Sequence, residues 1–124
     1  MEQLLLHLFG DYVTQTSQMA LLKRKVAGVA VLHAFVYALP FFILHISYAA
    51  FLVIFLSHFL IDHLALARYV IYAKNKTMDW NLKWEDVKET GYSKDLPAYM
   101  SAWLVIIVDN FMHLSINYCS IRWL

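Results

Sequence analysis

Residues 26–67 read VAGVAVLHAFVYALPFFILHISYAAFLVIFLSHFLIDHLALA, and Asp62 is the only Asp, Glu, Lys or Arg among them. An uncharged run of about 20 residues, rising ~1.5 Å per residue, is long enough to cross the ~30 Å hydrocarbon layer of a bilayer. The stretch holds two such runs, 26–46 and 47–67, joined near 45–48 by almost nothing. It therefore predicts two membrane helices in an antiparallel hairpin, with Pro40 kinking the first near its outer end.

Outward from this hairpin the pattern recurs. Residues 97–118 form a third apolar run, interrupted only by Asp109. Residues 3–22 are weaker, because Asp11, Thr14, Gln15, Thr16, Ser17 and Gln18 make one side polar; this segment is expected to be a span or a deeply inserted re-entrant helix. The whole chain of 124 residues is 61% hydrophobic and 15% charged, far more apolar than a soluble domain of that size requires. The predicted fold is an all-α integral membrane four-helix bundle: one transmembrane domain over 1–124 with helices at about 3–22, 26–46, 48–73 and 97–119. An interfacial loop at 74–96 joins the last two. Its five basic and five acidic residues cancel, and Trp80, Trp84 and Val87 recur at helical spacing. That spacing predicts a short amphipathic helix at the membrane surface, with the tryptophans as anchors in preference to substrate contacts.

Charge sets the expected orientation. Lys23, Arg24, Lys25, Arg68, Lys74, Lys76, Lys83, Lys88 and Lys94 are nine of the ten basic residues. If four helices alternate, all nine fall on one side, which the positive-inside rule makes cytoplasmic, and both termini face outward from what would be a bacterial inner membrane. Glu2 at the start, with the basic cluster only after the first helix, is unlike a cleaved signal peptide, so that helix is expected to stay. The single Cys119 has no partner for an internal disulfide and reads as a small packing residue. A net charge of +1 gives no reason to expect nucleic acid as a partner; membrane lipids are the expected one.

Three of the apolar segments carry a histidine and an aspartate four residues apart: His7 with Asp11, His58 with Asp62, and, in reversed order, Asp109 with His113. A spacing of four puts both side chains on one helix face, ~6 Å apart along the axis. A helix running the opposite way must reverse its motif to present the same groups at the same depth. Counted at ~1.5 Å per residue from the cytoplasmic ends, the three carboxylates lie ~16 to 18 Å up, and His7, His58 and His113 ~22 to 24 Å up. By the same count His33 and Gln15 lie at ~10 Å, so four helices contribute to one polar column.

An Asp at the centre of a membrane helix is disfavoured by ~2.5 to 3.5 kcal/mol, so three of them call for compensation. The basic residues gather near one face, and none is expected at the carboxylate level. Protonated carboxyls bonded to neutral imidazoles are one solution; a bound metal is the other, and it accounts for both residue types. Carboxylate oxygen with imidazole nitrogen suits zinc, which is preferred here, or Mn or Fe, as one ion or as two ions ~3.5 to 4 Å apart. The candidate ligands are His7, Asp11, His58, Asp62, Asp109 and His113. Gln15 and His33 are expected to orient a ligand or the substrate. His63 points about 100° away from Asp62 and reads as a packing residue, His45 as an exposed turn residue, and Gly10 as a site of close helix approach. Asn110 and Asn117, with Thr14 and Gln18, are candidates for bonds between helices or for a water-lined entrance.

The run LLLHLFGDYVTQT at 4–16, LHA at 32–34, SHFLID at 57–62 and DNFMH at 109–113 resemble a family of small bacterial and phage membrane proteins of unknown function, over nearly the whole chain. More distantly, the chain is similar to membrane-bound metal-dependent hydrolases, which also carry intramembrane H-x-x-x-D motifs. The resemblance implies His7, Asp11, Gln15, His33, His58, Asp62, Asp109 and His113 as the site and brings no substrate with it.

No serine nucleophile elbow or phosphate-binding glycine loop occurs, which leaves metal-activated water as the simplest chemistry. The expected function is a membrane-embedded metal-dependent hydrolase of a phospholipid or lipid-linked phosphate, with one of Asp11, Asp62 or Asp109 as general base if it is not a ligand. Two alternatives stand beside it. The same column could pass protons or divalent cations, which favours a homo-oligomer, or the protein could be a non-enzymatic phage-type membrane effector.

Overall fold

In the computed structural model, which describes residues 1–124, every regular element is helical. Helix α1 (Glu2–Leu8) runs directly into a π-helical turn (Phe9–Val13). Then come α2 (Ser17–Leu22), α3 (Ala27–Ala38) with a 3-10 extension (Leu39–Leu44), α4 (Tyr48–Leu64), α5 (Leu66–Lys76), the short α6 (Trp84–Val87) and α7 (Ala98–Trp123). The chain forms two units, one of Met1–Leu64 with His113–Leu124 and one of Ala65–Met112.

In the first unit, the segment read as one helix over 3–22 is broken. Thr14 Oγ1 donates to the carbonyl of Gly10 at 2.8 Å, and Thr16 is extended, its hydroxyl accepting from Met19 N–H at 3.2 Å to cap α2. Thr, Ser and Gln side chains in this run offer the backbone partners outside the helix, and the helix yields to them. The continuous helical part, residues 2–13, is at most ~18 Å long and falls short of a ~30 Å hydrocarbon core. The four-span count behind the expected outward termini loses its first member.

Helices α3 and α4 form the predicted hairpin and pack on each other. Pro40 lacks an N–H and crowds the preceding turn, and here the chain tightens into 3-10 geometry. His45, exposed and left-handed at φ 54°, ends that turn, and Ser47 Oγ accepts from Ala50 N–H to start α4. Residues Ala30, His33, Ala34, Tyr37, Ala38 and Phe41 recur every three or four positions and are buried, as one face of a helix must be. The α4 face is Ala50, Ile54, His58, Ile61 and Asp62. Tyr37, Ala38, Phe41 and Ile54 make the apolar core, with Leu6, Phe51, Phe55 and Ile121 against it.

Polarity is distributed in the reverse of a water-soluble protein. His7, Asp11, His33, His58, Asp62, His113, Asn117 and Ser120 are buried, while Leu32, Phe35, Leu52, Leu56, Leu60, Ile107 and Phe111 are exposed. Over 113–124 of α7 the buried positions are 113, 117 and 120, all polar and on one face. A lipid solvent favours this arrangement, because it solvates apolar side chains and forces polar ones to find partners inside. The segment Ala27–Leu44 and helix α7 are each long and apolar enough to cross a membrane; α4 and α5, counted together as one broken span, make a third.

In the second unit, the helix expected over 48–73 restarts after Ala65, which is left-handed at φ 50°, and continues to Lys76. The region read as a loop folds back on α5. Gly91 (φ 81°) has no room for a Cβ against Arg68 O and Ile71, and its carbonyl accepts from Asn75 Nδ2 at 2.9 Å. Trp84 stacks on Tyr69 with ring centroids 4.6 Å apart, and the Arg68 guanidinium lies 5.0 Å over Tyr69. Trp84 and Val87 belong to the predicted short helix, whereas Trp80 lies outside it and is exposed.

Candidate metal centre

The π-helical turn, α3 and α4 bring four side chains to one point. Asp11 Oδ1 lies 3.4 Å from His33 Nε2 and 3.3 Å from His58 Nε2. Asp62 Oδ2 lies 3.2 Å from each of the same two nitrogens, which are 3.1 Å apart. These are five edges of a tetrahedron. A regular tetrahedron with edges of ~3.3 Å has its centre ~2.0 Å from every corner, the length of zinc–imidazole and zinc–carboxylate bonds; the sixth separation here, between the two carboxylate oxygens, lies within 4.8 Å. All four residues are buried, and Asp11 Oδ1, although near two imidazoles, has no hydrogen-bond partner. A buried acceptor left unpaired is costly in a protein interior. The group could hold a metal ion.

The backbone explains how Asp11 gets there. Gly10 packs against α3 so closely that a Cβ would stand 2.5 Å from Tyr37 Cδ2 and 3.2 Å from Tyr37 Cα. That approach presents the next residue, Asp11, to the histidines of α3 and α4. A π-turn at this point shifts the register of the side chains, a device common at functional sites.

Around the four atoms stands a second tier. His7 Nδ1 lies 3.5 Å from Asp11 Oδ2, and His113 Nε2 donates to Asp62 Oδ1 at 3.3 Å. Each thus addresses the carboxylate oxygen that points away from the cluster. Tyr37 stacks on His58 with centroids 3.6 Å apart; its hydroxyl accepts from Asn117 Nδ2 at 2.6 Å and lies 2.8 Å from His7 Nδ1. Such outer contacts fix ligand orientation.

One cation reaches the site. Lys23, in the turn after α2, donates from Nζ to Asp62 Oδ2 at 2.7 Å and lies 3.5 Å from His33 Nε2. The expectation that no basic residue would stand at the carboxylate level is therefore corrected: a lysine stem spans about a helical turn, so a backbone position near one face does not fix where the ammonium sits. Two carboxylates and this ammonium leave one negative charge.

Of the residues read from the sequence, Asp11, His58 and Asp62 are in the four-atom cluster, and His7 and His113 stand beside it. His33, expected only to orient a ligand, supplies one of the four atoms. Its Nε2 lies 3.1 Å from that of His58, so helical depths counted at the backbone separated two groups that meet. Asp109 is half-buried on α7, one turn before His113. Gln15 is half-buried in the link before α2, its Oε1 without a hydrogen-bond partner. Tyr37 and Lys23 were missed. Tyr37 follows His33 by four, a spacing that marks it as sharing that face; Lys23 carried no such signal. His63 packs as expected, stacked on Phe59, and its Nδ1–H donates to the Lys23 carbonyl at 2.8 Å.

No curated protein and no solved structure matches this chain. A family profile described as "Protein of unknown function (DUF3307)" matches residues 1–119. With its paired His and Asp motifs inside the matched region, the chain belongs to that family.

Proposed function

We propose that the chain is an integral membrane protein in which Asp11, His33, His58 and Asp62 hold one divalent ion, zinc by preference, and that it hydrolyses a phospholipid or a lipid-linked phosphate. The observation that supports the reading is the close grouping of four buried ligand atoms, five of whose six separations are 3.1 to 3.4 Å with all of them within 4.8 Å, among helices that expose apolar side chains. Two nitrogens and two oxygens suit zinc, and also Mn or Fe, better than the all-oxygen shells of Ca or Mg.

A bound divalent ion lowers the pKa of a water it holds toward ~7 and polarises the oxygen under attack. Hydrolytic zinc sites usually keep three protein ligands and one exchangeable position. Asp62 is the corner suited to exchange. Lys23 and His113 hold its two oxygens, so its carboxylate would stay beside the site and could accept a proton there. Asp11, His33 and His58 would hold the ion, with His7 on the outer oxygen of Asp11.

The test is elemental mass spectrometry on protein purified in mild detergent, together with release of product from lipid phosphates. Wild type is expected to carry about one equivalent of zinc, Mn or Fe, and a folded His58→Ala variant none. Asp62→Asn is expected to keep metal and lose hydrolysis. A wild-type protein that holds no metal and takes up none refutes the site. Metal-dependent cation flux into liposomes without product release replaces hydrolysis by transport.

A further inference from the structure

Lys23 reaches the cluster from a turn whose backbone has its own anchor: the Lys23 carbonyl accepts from His63 Nδ1, whose ring is stacked on Phe59. The ammonium, at the end of a flexible stem, donates to Asp62 Oδ2 at 2.7 Å. The Lys23 side chain is 19% exposed and that of Asp62 only 5%. The carboxylate also accepts from His113 at its other oxygen. Of the two partners, the lysine is the one free to move.

Asp62 Oδ2 is also one of the four grouped ligand atoms, 3.2 Å from Nε2 of both His33 and His58. An ion bound at ~2.0 Å from that oxygen would lie no more than ~4.7 Å from the Lys23 ammonium. Two cations then address one oxygen, and at this range in a buried site they repel each other. Resting on the metal reading above, we infer that Lys23 is a positioning residue that competes with the ion for Asp62 Oδ2. The ammonium draws the carboxylate off the ion, so that Asp11, His33 and His58 hold the ion while the fourth corner stays exchangeable, as hydrolytic zinc sites require. Without the ammonium, Asp62 closes on the ion and completes the four-ligand shell of a structural site, whose additional ligand tightens zinc binding. The competition is for one oxygen and does not depend on the total charge around the site.

The experiment is a zinc titration against a competing chelator in detergent, with circular dichroism to establish that each variant is folded. Lys23→Met keeps the stem and removes the ammonium. It is expected to bind zinc at least about tenfold more tightly than wild type, whereas Lys23→Arg, which keeps a charged donor, stays within about threefold. A residue that only supported the fold or the ligands would lower the affinity when replaced. In the Asp62→Asn background, Lys23→Met is expected to change the affinity by less than about threefold, because the oxygen for which the two cations compete has lost its charge. A gain short of tenfold in Lys23→Met, an equal gain in Lys23→Arg, or the same gain in the Asp62→Asn background overturns the inference and leaves the metal site standing. Should Lys23→Met fail to fold, Lys23→Gln is read by the same criteria. Should Asp62→Asn hold no zinc, the contrast between Lys23→Met and Lys23→Arg decides. Zinc uptake by neither wild type nor Lys23→Met removes the metal reading and the inference together.

Discussion

Replacing His33 and His7 separately by alanine separates a ligand from its support. Both side chains are fully buried, and the substitution removes the same atoms, so the packing cost of the two changes is similar and the difference reports on metal. His33 Nε2 is a corner of the tetrahedron, 3.1 to 3.4 Å from the other three atoms. Structural zinc contributes ~10–16 kcal/mol, or ~2.5–4 kcal/mol for each of four ligands. Losing one corner should weaken binding by roughly 70- to 1,000-fold. His7 is not one of the four corners and meets Asp11 at its outer oxygen, at 3.5 Å; losing an outer partner of that kind costs ~10- to 100-fold, here at the low end. A zinc titration against a competing chelator in detergent should therefore rank the variants wild type, His7→Ala, His33→Ala, with the last two roughly 7- to 100-fold apart. In excess zinc, a hundredfold weaker affinity also removes ~2.7 kcal/mol of ligand-linked stability, visible as a lower Tm. Equal losses in the two variants, or a His33→Ala protein within threefold of wild type, would refute the four-atom assignment.

Two further outcomes follow from the contacts around the site. Gly10→Ala pushes a methyl group to 2.5 Å from the Tyr37 ring; it should cost about 1–3 kcal/mol and, by moving Asp11, lower zinc affinity, which the same titration reads. Tyr37→Phe keeps the ring on His58 but strips the hydroxyl from Asn117 and His7. It should lower stability by about 1–3 kcal/mol while zinc content stays unchanged in elemental analysis, and loss of the metal would show that the hydroxyl supports the ligands.

Much of the molecule was legible in the chain because helices long and apolar enough to cross a membrane announce themselves by length and by missing charge. Residues 26–67 gave the α3–α4 hairpin, its turn at His45 and the buried faces bearing His33, His58 and Asp62, all consequences of periodicity. The fracture of the first segment was foreshadowed by Thr14, Gln15 and Thr16, whose side chains compete for backbone partners, and the bonds of Thr14 to the Gly10 carbonyl and of Thr16 to Met19 N–H realise that competition. Ala65 gave no signal at all, since nothing in an alanine asks for a positive φ.

What the sequence determined by itself was therefore that its long helices are apolar enough to cross a membrane, most of the helical elements, and the His and Asp side chains from which the cluster is drawn. Only the tertiary structure decided how these sort: that Asp11, His33, His58 and Asp62 close one tetrahedron, that His7 and His113 stand behind it, and that Lys23 enters at its edge. The reason is reach. Spacing along a helix fixes the direction and depth of a Cα, whereas ligand atoms at the ends of imidazole and lysine side chains lie up to a turn away. Which of them meet depends on how closely neighbouring helices approach, and in this protein Gly10 against Tyr37 sets that distance.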